Sequence, residues 1–281
     1  MRRAIVWLAV LALALAGVAW AATAPRRLPE AELATLPAAE PHPVVAAGAA
    51  LGGGQTLETP FGTFSVPNIS SDPADGIGGW TEADFADAML RGVSPDGRHY
   101  YPAFPYASYT RMPPQDVADL WAFIRTLPPV AGRPPGHDLG FPWSIRRGVG
   151  LWKLLHLDAA PAAAIDASDP LVARGQYLVE GPGHCGECHT PRDLTGGMDR
   201  ARWLAGGPSP EGEGRIPNLT PGGDLADWSA ADIAYYLETG FTPDFDTAGG
   251  AMAAVQRSLA ELPSGDRDAI AAYLTAVPAV P

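Results

Sequence analysis

The chain has 281 residues with 31 acidic and 19 basic side chains, a formal net charge of −12, and only 18% charged residues against 32 glycines and 30 prolines. That balance, with Lys153 as the single lysine, excludes a protein that tracks nucleic-acid phosphates. It suits either plain solubility or docking to a partner with a basic patch. Frequent glycine and proline argue for long loops between short helices.

The N-terminus opens with Met1-Arg2-Arg3 and an uncharged apolar run from Ala4 to Ala24. As a helix this run is about 30 Å long, enough for a bilayer core. Ala19-Trp20-Ala21 resembles a small-x-small cleavage site. The run exceeds an ordinary signal core, so the reading is an uncleaved transmembrane anchor, with a cleaved signal peptide as the alternative. The positive-inside rule keeps Arg2 and Arg3 in the cytoplasm. Either outcome exports the rest, to the periplasmic face of the inner membrane or free into the periplasm. Residues 25–49 then form a linker.

An internal repeat organises the remainder of the chain. Val66-Pro67-Asn68-Ile69-Ser70 matches Ile216-Pro217-Asn218-Leu219-Thr220, Trp80 to Phe85 matches Trp228 to Ile233, and Pro113 to Val130 matches Pro263 to Val280, always at an offset of 148 to 150 residues. The expected architecture is all-α, with two helical domains of one type at 50–130 and 170–281 and a connector at 131–169. Thr81 and Ser229 are N-cap candidates, and Gly92 and Gly240 are stops. Between them Phe85, Met89 and Leu90, or Ile233, Tyr236 and Leu237, recur at helical spacing. Val117, Leu120, Trp121 and Ile124 make one apolar face, with Ile270, Tyr273 and Leu274 as its counterpart. Leu171 to Val179 supplies a further short helix, and no strand-like alternation of useful length appears.

The connector holds Phe141-Pro142-Trp143-Ser144-Ile145-Arg146-Arg147 and Leu151-Trp152-Lys153-Leu154-Leu155-His156, the one basic, aromatic-rich patch. It suits packing between domains with the cations snorkelling outward, or a membrane or partner surface.

The chemistry concentrates in Cys185-Gly186-Glu187-Cys188-His189, which contains both cysteines of the chain. Cys-x-x-Cys-His is the attachment sequence of a c-type haem: each thiol forms a thioether, and the adjacent histidine becomes the proximal iron ligand. A redox dithiol needs no neighbouring histidine, a closed zinc site needs four ligands, and a disulfide across two residues closes too small a loop to stabilise much. One covalent haem c is therefore expected. No histidine follows His189 and no lysine follows Lys153, leaving Met198 and Met252 as strong-field candidates for the opposite face. Met198 lies too near His189 to reach round the ring. Met252, after Ala248-Gly249-Gly250-Ala251, is the expected second ligand, with core filler as the competing role. His/Met ligation leaves no open coordination position. Arg215, Asn218 and Arg192 suit the haem propionates or, equally, surface solvation. The first copy lacks both ligands: the position 150 residues before Cys185 is Thr35, and Met252 aligns with Phe104.

Further motifs are Thr59-Pro60-Phe61-Gly62-Thr63, Gly76-Ile77-Gly78-Gly79-Trp80, Asp96 to Tyr106, Gly183 to Arg192 and Gly249-Gly250-Ala251-Met252. With these the chain resembles the periplasmic dihaem cytochrome c proteins related to cytochrome subunits of membrane-bound dehydrogenases, such as the alcohol and gluconate dehydrogenases. The resemblance covers nearly everything after residue 45. It implies electron transfer in a respiratory chain, from a dehydrogenase or the quinone pool toward an oxidase, with redox proteins as partners and an anchor in the inner membrane. It also implies that Cys185 and Cys188 hold haem while His189 and Met252 ligate iron. Such relatives carry one Cys-x-x-Cys-His in each domain, and the first is missing here, so the first domain is expected to be degenerate and haem-free. No general base or nucleophile constellation is present, which favours a carrier over an enzyme; a haem enzyme, or a haem-based sensor or assembly subunit, are the alternatives.

Overall fold

The computed structural model describes residues 2–36, 51–209 and 214–281. The chain separates into two compact units, Met1–Ala107 with Pro113–Leu157, and Ser108–Met112 with Asp158–Pro281.

In the first unit, helix α1 (Arg2–Ala22) and the single turn α2 (Glu30–Leu33) precede the hairpin strands β1 (Thr56–Thr59) and β2 (Gly62–Ser65). These pair antiparallel in the register Thr59↔Gly62, and β3 (Asp138–Leu139) adds to the other edge of β2. Helix α3 (Glu82–Ala86) starts in a capping box, where the Thr81 hydroxyl accepts from the Asp84 N–H and the Asp84 carboxylate accepts from the Thr81 N–H. It runs on through one wider turn, Asp87–Arg91, and stops where Gly92 turns left-handed at φ 61°. The one-turn helix α4 (Tyr106–Tyr109) leaves this unit at Ser108, and the unit resumes with α5 (Pro114–Ile124), which buries Val117, Ala118, Trp121 and Ile124. Trp121 stacks on Phe85 of α3 at 5.1 Å. Helix α6 (Val149–His156) ends this unit.

The second unit contains α7 (Pro170–Glu180), the single turn α8 (Gly186–His189), the two-residue strands β4 (Gly207–Pro208) and β5 (Arg215–Ile216), α9 (Ala230–Thr239), α10 (Met252–Ala260) and α11 (Ser264–Ala276). Ser229 and Asp232 form the same capping box at α9, and Gly240 ends it at φ 80°. The core gathers Leu178 and Val179 of α7, Ile233 and Leu237 of α9, and Ile270, Tyr273 and Leu274 of α11, with Trp203 and Leu204 from the intervening loop. Helix α7 crosses α11 closely enough that a Cβ on Gly175 would lie 1.9 Å from the Ala269 carbonyl oxygen.

The repeated segments take the same local structure. The Asn68 amide donates to the Val130 carbonyl at 2.6 Å and its oxygen accepts from the Ser70 N–H at 2.9 Å. Asn218 does the same with Val280 at 2.8 Å and Thr220 at 2.9 Å. In each unit one asparagine thus pins the loop before a capped helix to the segment that follows α5 or α11.

Two expectations are corrected. The fold is not all-α, since it contains a three-stranded and a two-stranded antiparallel sheet. These strands are two to four residues long. Backbone pairing around turns holds them, and no alternating apolar face marks such short pieces in a sequence. The transmembrane anchor is corrected as well: among the described residues no helix is long and apolar enough to cross a membrane.

Candidate functional site

The attachment sequence hangs directly on the end of α7. The N–H groups of Gly183 and Cys185 donate back to the carbonyls of Leu178 and Val179 at 2.8 and 3.2 Å, and His184 between them takes a left-handed φ of 40°. Val179 is fully buried, so the turn that presents the cysteines is tied to core backbone. The His189 N–H closes the single turn of α8 onto the Cys185 carbonyl at 3.0 Å. Both cysteines stand as thiols, Cys185 half-buried against the core and Cys188 exposed. Burial pushes the Cys185 thiol up to about 11.

His189 is buried, and its Nδ1 lies 2.9 Å from the Pro217 carbonyl oxygen. A carbonyl only accepts, so Nδ1 carries the proton and Nε2 presents its lone pair. Burial also lowers the ring's pKa, although the Pro217 bond opposes this. The result is a neutral imidazole of fixed tautomer, oriented through its second nitrogen as metal-bound histidines are. This is the observation against which a haem is tested, and the residues fit: two thiols and one pre-oriented imidazole nitrogen within a single turn.

The loop that supplies Pro217 is held on both sides. Leu219 donates its N–H to the Leu204 carbonyl at 2.9 Å, and Gly206 donates to the His189 carbonyl at 2.7 Å. Gly206 is left-handed at φ 71°, and a Cβ there would strike the Ile216 carbonyl at 2.4 Å. Asp224 accepts from the Asn218 N–H at 2.7 Å and takes both arms of Arg215 at 2.9 and 2.6 Å. These bonds hold the Asp224 carboxyl below its usual range, the Arg215 pair being the largest cause. Arg215 and Asn218 therefore flank the histidine's carbonyl partner, with Arg215 engaged by Asp224 and the Asn218 amide by Val280 and Thr220.

Met252 comes from a different element. It opens α10, half-buried, just after Gly250 at a left-handed φ of 54°. Helix α10 is seated on α9 through buried Gln256, which donates to the Leu237 carbonyl at 3.2 Å. Met198, the other methionine weighed, packs against the core and is bridged to Arg192. Arg192 itself pairs with Glu187 at 2.7 Å. His99, in the first unit, is buried with its Nε2 at 2.9 Å from the Thr23 carbonyl oxygen.

Several supports of the site carry no signal in the sequence. Gly186, inside the attachment sequence, packs against Trp203, whose ring a Cβ would meet at 2.0 Å. The Trp203 indole N–H donates to the Tyr273 oxygen at 2.9 Å, and the Tyr273 hydroxyl donates to Glu180 at 2.7 Å. Glu180 is 2% exposed and also accepts from the N–H groups of Ala162 and Ala163 and from Gln176 at 3.0 Å. Arg111 stands 3.8 Å from it. Within the same unit, buried Ser108 donates to Glu187 at 2.8 Å and Tyr109 meets the His184 ring edge-on at 5.7 Å. These partners lie up to 93 residues apart in the chain, beyond the reach of any local pattern. Among the described residues no group of three or more His, Cys, Asp or Glu side chains is placed to hold a metal ion.

No family model matches the chain. It is 58% identical to a "Diheme cytochrome c-type" protein of Cereibacter sphaeroides over 82% of this chain and 77% of that one. It is 38% identical to the fructose dehydrogenase cytochrome subunit of Gluconobacter japonicus over 83% of this chain and 48% of the relative. It is 37% identical to the cytochrome c subunit of a quinone alcohol dehydrogenase of Gluconobacter oxydans over 82% and 50%. The chain thus spans about half the length of these dehydrogenase subunits.

Proposed function

Because the chain belongs to the dihaem cytochrome c family, and so is an electron-transfer cytochrome, we propose that it carries single electrons through one covalent haem c held within residues 170–281. The haem supplies the one-electron redox couple. The protein's residues supply attachment, orientation and docking. Cys185 and Cys188 hold the two thioethers. His189 offers Nε2 to the iron, with its ring plane fixed by the Pro217 carbonyl at 2.9 Å, and this contact is the observation that carries the reading. Met252, at the head of α10, would be the second residue to hold the iron. Arg215 and Asn218, on the loop that also supplies Pro217, would hold the propionates in exchange for part of their present bonds to Asp224 and Val280. The chain has one attachment sequence, so the expected stoichiometry is one haem, with none on the first unit.

The donor is a dehydrogenase subunit or a quinol and the acceptor a terminal oxidase or another cytochrome, all in the periplasm. Support comes from relatives named as cytochrome subunits of fructose, alcohol and gluconate dehydrogenases. The test is haem content by pyridine haemochrome and intact mass on protein matured in a haem c-competent host, together with the Met252→Ala variant. The expected results are one covalent haem per chain, and loss of the sulfur-to-iron absorption with a lowered potential in the variant. Zero haem overturns the attachment, two overturns the single-haem carrier, and an unchanged spectrum in the variant removes Met252 as ligand and restores an open-site haem enzyme.

A further inference from the structure

The first unit ends in a stretch whose charge opposes that of the chain. From Leu139 to Leu157 there is no acidic residue, and the stretch carries Arg146, Arg147 and Lys153 in a protein of net charge −12. Its large apolar side chains are turned outward: Phe141 is 83% exposed, and Trp143, Ile145, Leu151, Leu154 and Leu155 are each at least half exposed. Leu151, Leu154 and Leu155 stand three and four residues apart on α6 and so share one helical face. Exposed leucines on one side of a short helix are costly in water, because each leaves apolar area unburied.

Behind that face lies a cavity of about 220 Å³, lined by the cations Arg26, Arg91 and Lys153 and closed on the α6 side by Leu154 and Leu157. Lys153 donates to the Arg91 and Gly92 carbonyls at 2.6 Å each, Arg91 stands 3.9 Å from the Glu32 carboxylate outside the lining, and among the described residues no carboxylate lines the cavity.

We propose that α6 and the Phe141–Ile145 loop form a docking surface for an anionic phospholipid membrane, the leucines entering the acyl boundary and the Arg26–Arg91–Lys153 cavity receiving a lipid phosphate. An amphipathic helix with cations beside its apolar face lies in the plane of the interface, and anionic headgroups attract such a patch. Acidic stretches of the chain are repelled by the same headgroups, which leaves this acid-free stretch as the contact. The surface holds the carrier where membrane-bound donors are.

The test is site-directed spin labelling of full-length holoprotein carrying Leu155→Cys. It rests on the proposed haem attachment only in that both native cysteines are then blocked. One label per chain reports that they are, and three report failure of the attachment, separately from any result on depth. Depth is read by power saturation with oxygen and a water-soluble nickel complex, on phosphatidylcholine vesicles with and without phosphatidylglycerol. Because the label reports α6 alone, binding through α1 does not mimic the signal. The expected result is a several-fold drop in nickel accessibility only with phosphatidylglycerol present, reversed by high salt and reduced in Arg26→Gln. A label that stays aqueous on both vesicles overturns the proposal, as does equal burial on neutral vesicles. Protection that grows with protein concentration in the absence of vesicles assigns the face to a second copy instead, and overturns it too.

Discussion

Glu180 is a carboxylate surrounded entirely by donors. Tyr273, Gln176 and the backbone N–H groups of Ala162 and Ala163 all point hydrogens at it. A glutamine in its place has nearly the same volume but turns an NH₂ toward those donors. At 2% exposure no water repairs the mismatch, so Glu180→Gln is expected to cost about 2–4 kcal/mol, read by chemical denaturation of the holoprotein. Glu180 is also the far end of the relay that reaches Gly186 through Tyr273 and Trp203, so the same variant should move the reduction potential. Lys153 makes the opposite case, a half-buried cation whose ammonium donates to the Arg91 and Gly92 carbonyls: burial pushes its pKa down to about 7 from 10.5. The unfolded chain therefore binds more protons than the folded one between those values, and stability must rise as pH climbs from about 7 to about 10.5. The gain is on the order of a few kcal/mol. Lys153→Met should flatten that slope in denaturation midpoints measured across the range; a slope that survives assigns it elsewhere.

At the scale of elements, the crossing of α7 and α11 decides whether the attachment turn is held. Alanine is normally the better helix former than glycine by about 1 kcal/mol. At Gly175 that preference is overruled, because the added Cβ would stand 1.9 Å from a backbone oxygen and 2.7 Å from Tyr273 Cβ. Backbone does not swing aside as a flexible side chain does, so Gly175→Ala should lower stability by about 1–3 kcal/mol and reduce the yield of haem-loaded protein, while the same change at solvent-facing Gly265 does not. Some of this architecture is readable without coordinates. The N-caps Thr81 and Ser229, the stops Gly92 and Gly240, and the apolar spacing of α5 and α11 are local codes, each decided within a few residues. The attachment sequence is likewise contiguous. The two small sheets were not readable, because their strands are two to four residues long and owe their pairing to turns. Nor was the Pro217 carbonyl as partner of His189, or the Trp203–Tyr273–Glu180 relay: a backbone oxygen has no sequence signature, and contacts spanning 28 to 93 residues are created by the fold.

For the whole molecule the question is what field a redox partner meets. In the second unit the arginines are largely neutralised where they stand: Arg174 pairs with Asp266, Arg192 with Glu187, Arg200 with Asp158, Arg202 with Asp199, Arg215 with Asp224 and Arg267 with Glu238. Exposed pairs of this kind contribute little stability, but they remove cations from the outward field and leave the surplus carboxylates to set it. The unit proposed to hold the haem therefore presents a negative surface, and electrons should pass fastest to an acceptor with a basic face. Raising ionic strength from about 0.01 M to about 0.15 M shortens the Debye length from about 30 to about 8 Å, which removes long-range attraction while leaving short contacts intact. The second-order rate to a basic soluble cytochrome, followed by stopped flow at haem absorbance, should fall about tenfold or more over that range, and the rate to an acidic acceptor should rise. Rates that ignore salt with both acceptors would mean that the haem edge is reached through an uncharged window, and that the −12 charge serves solubility alone.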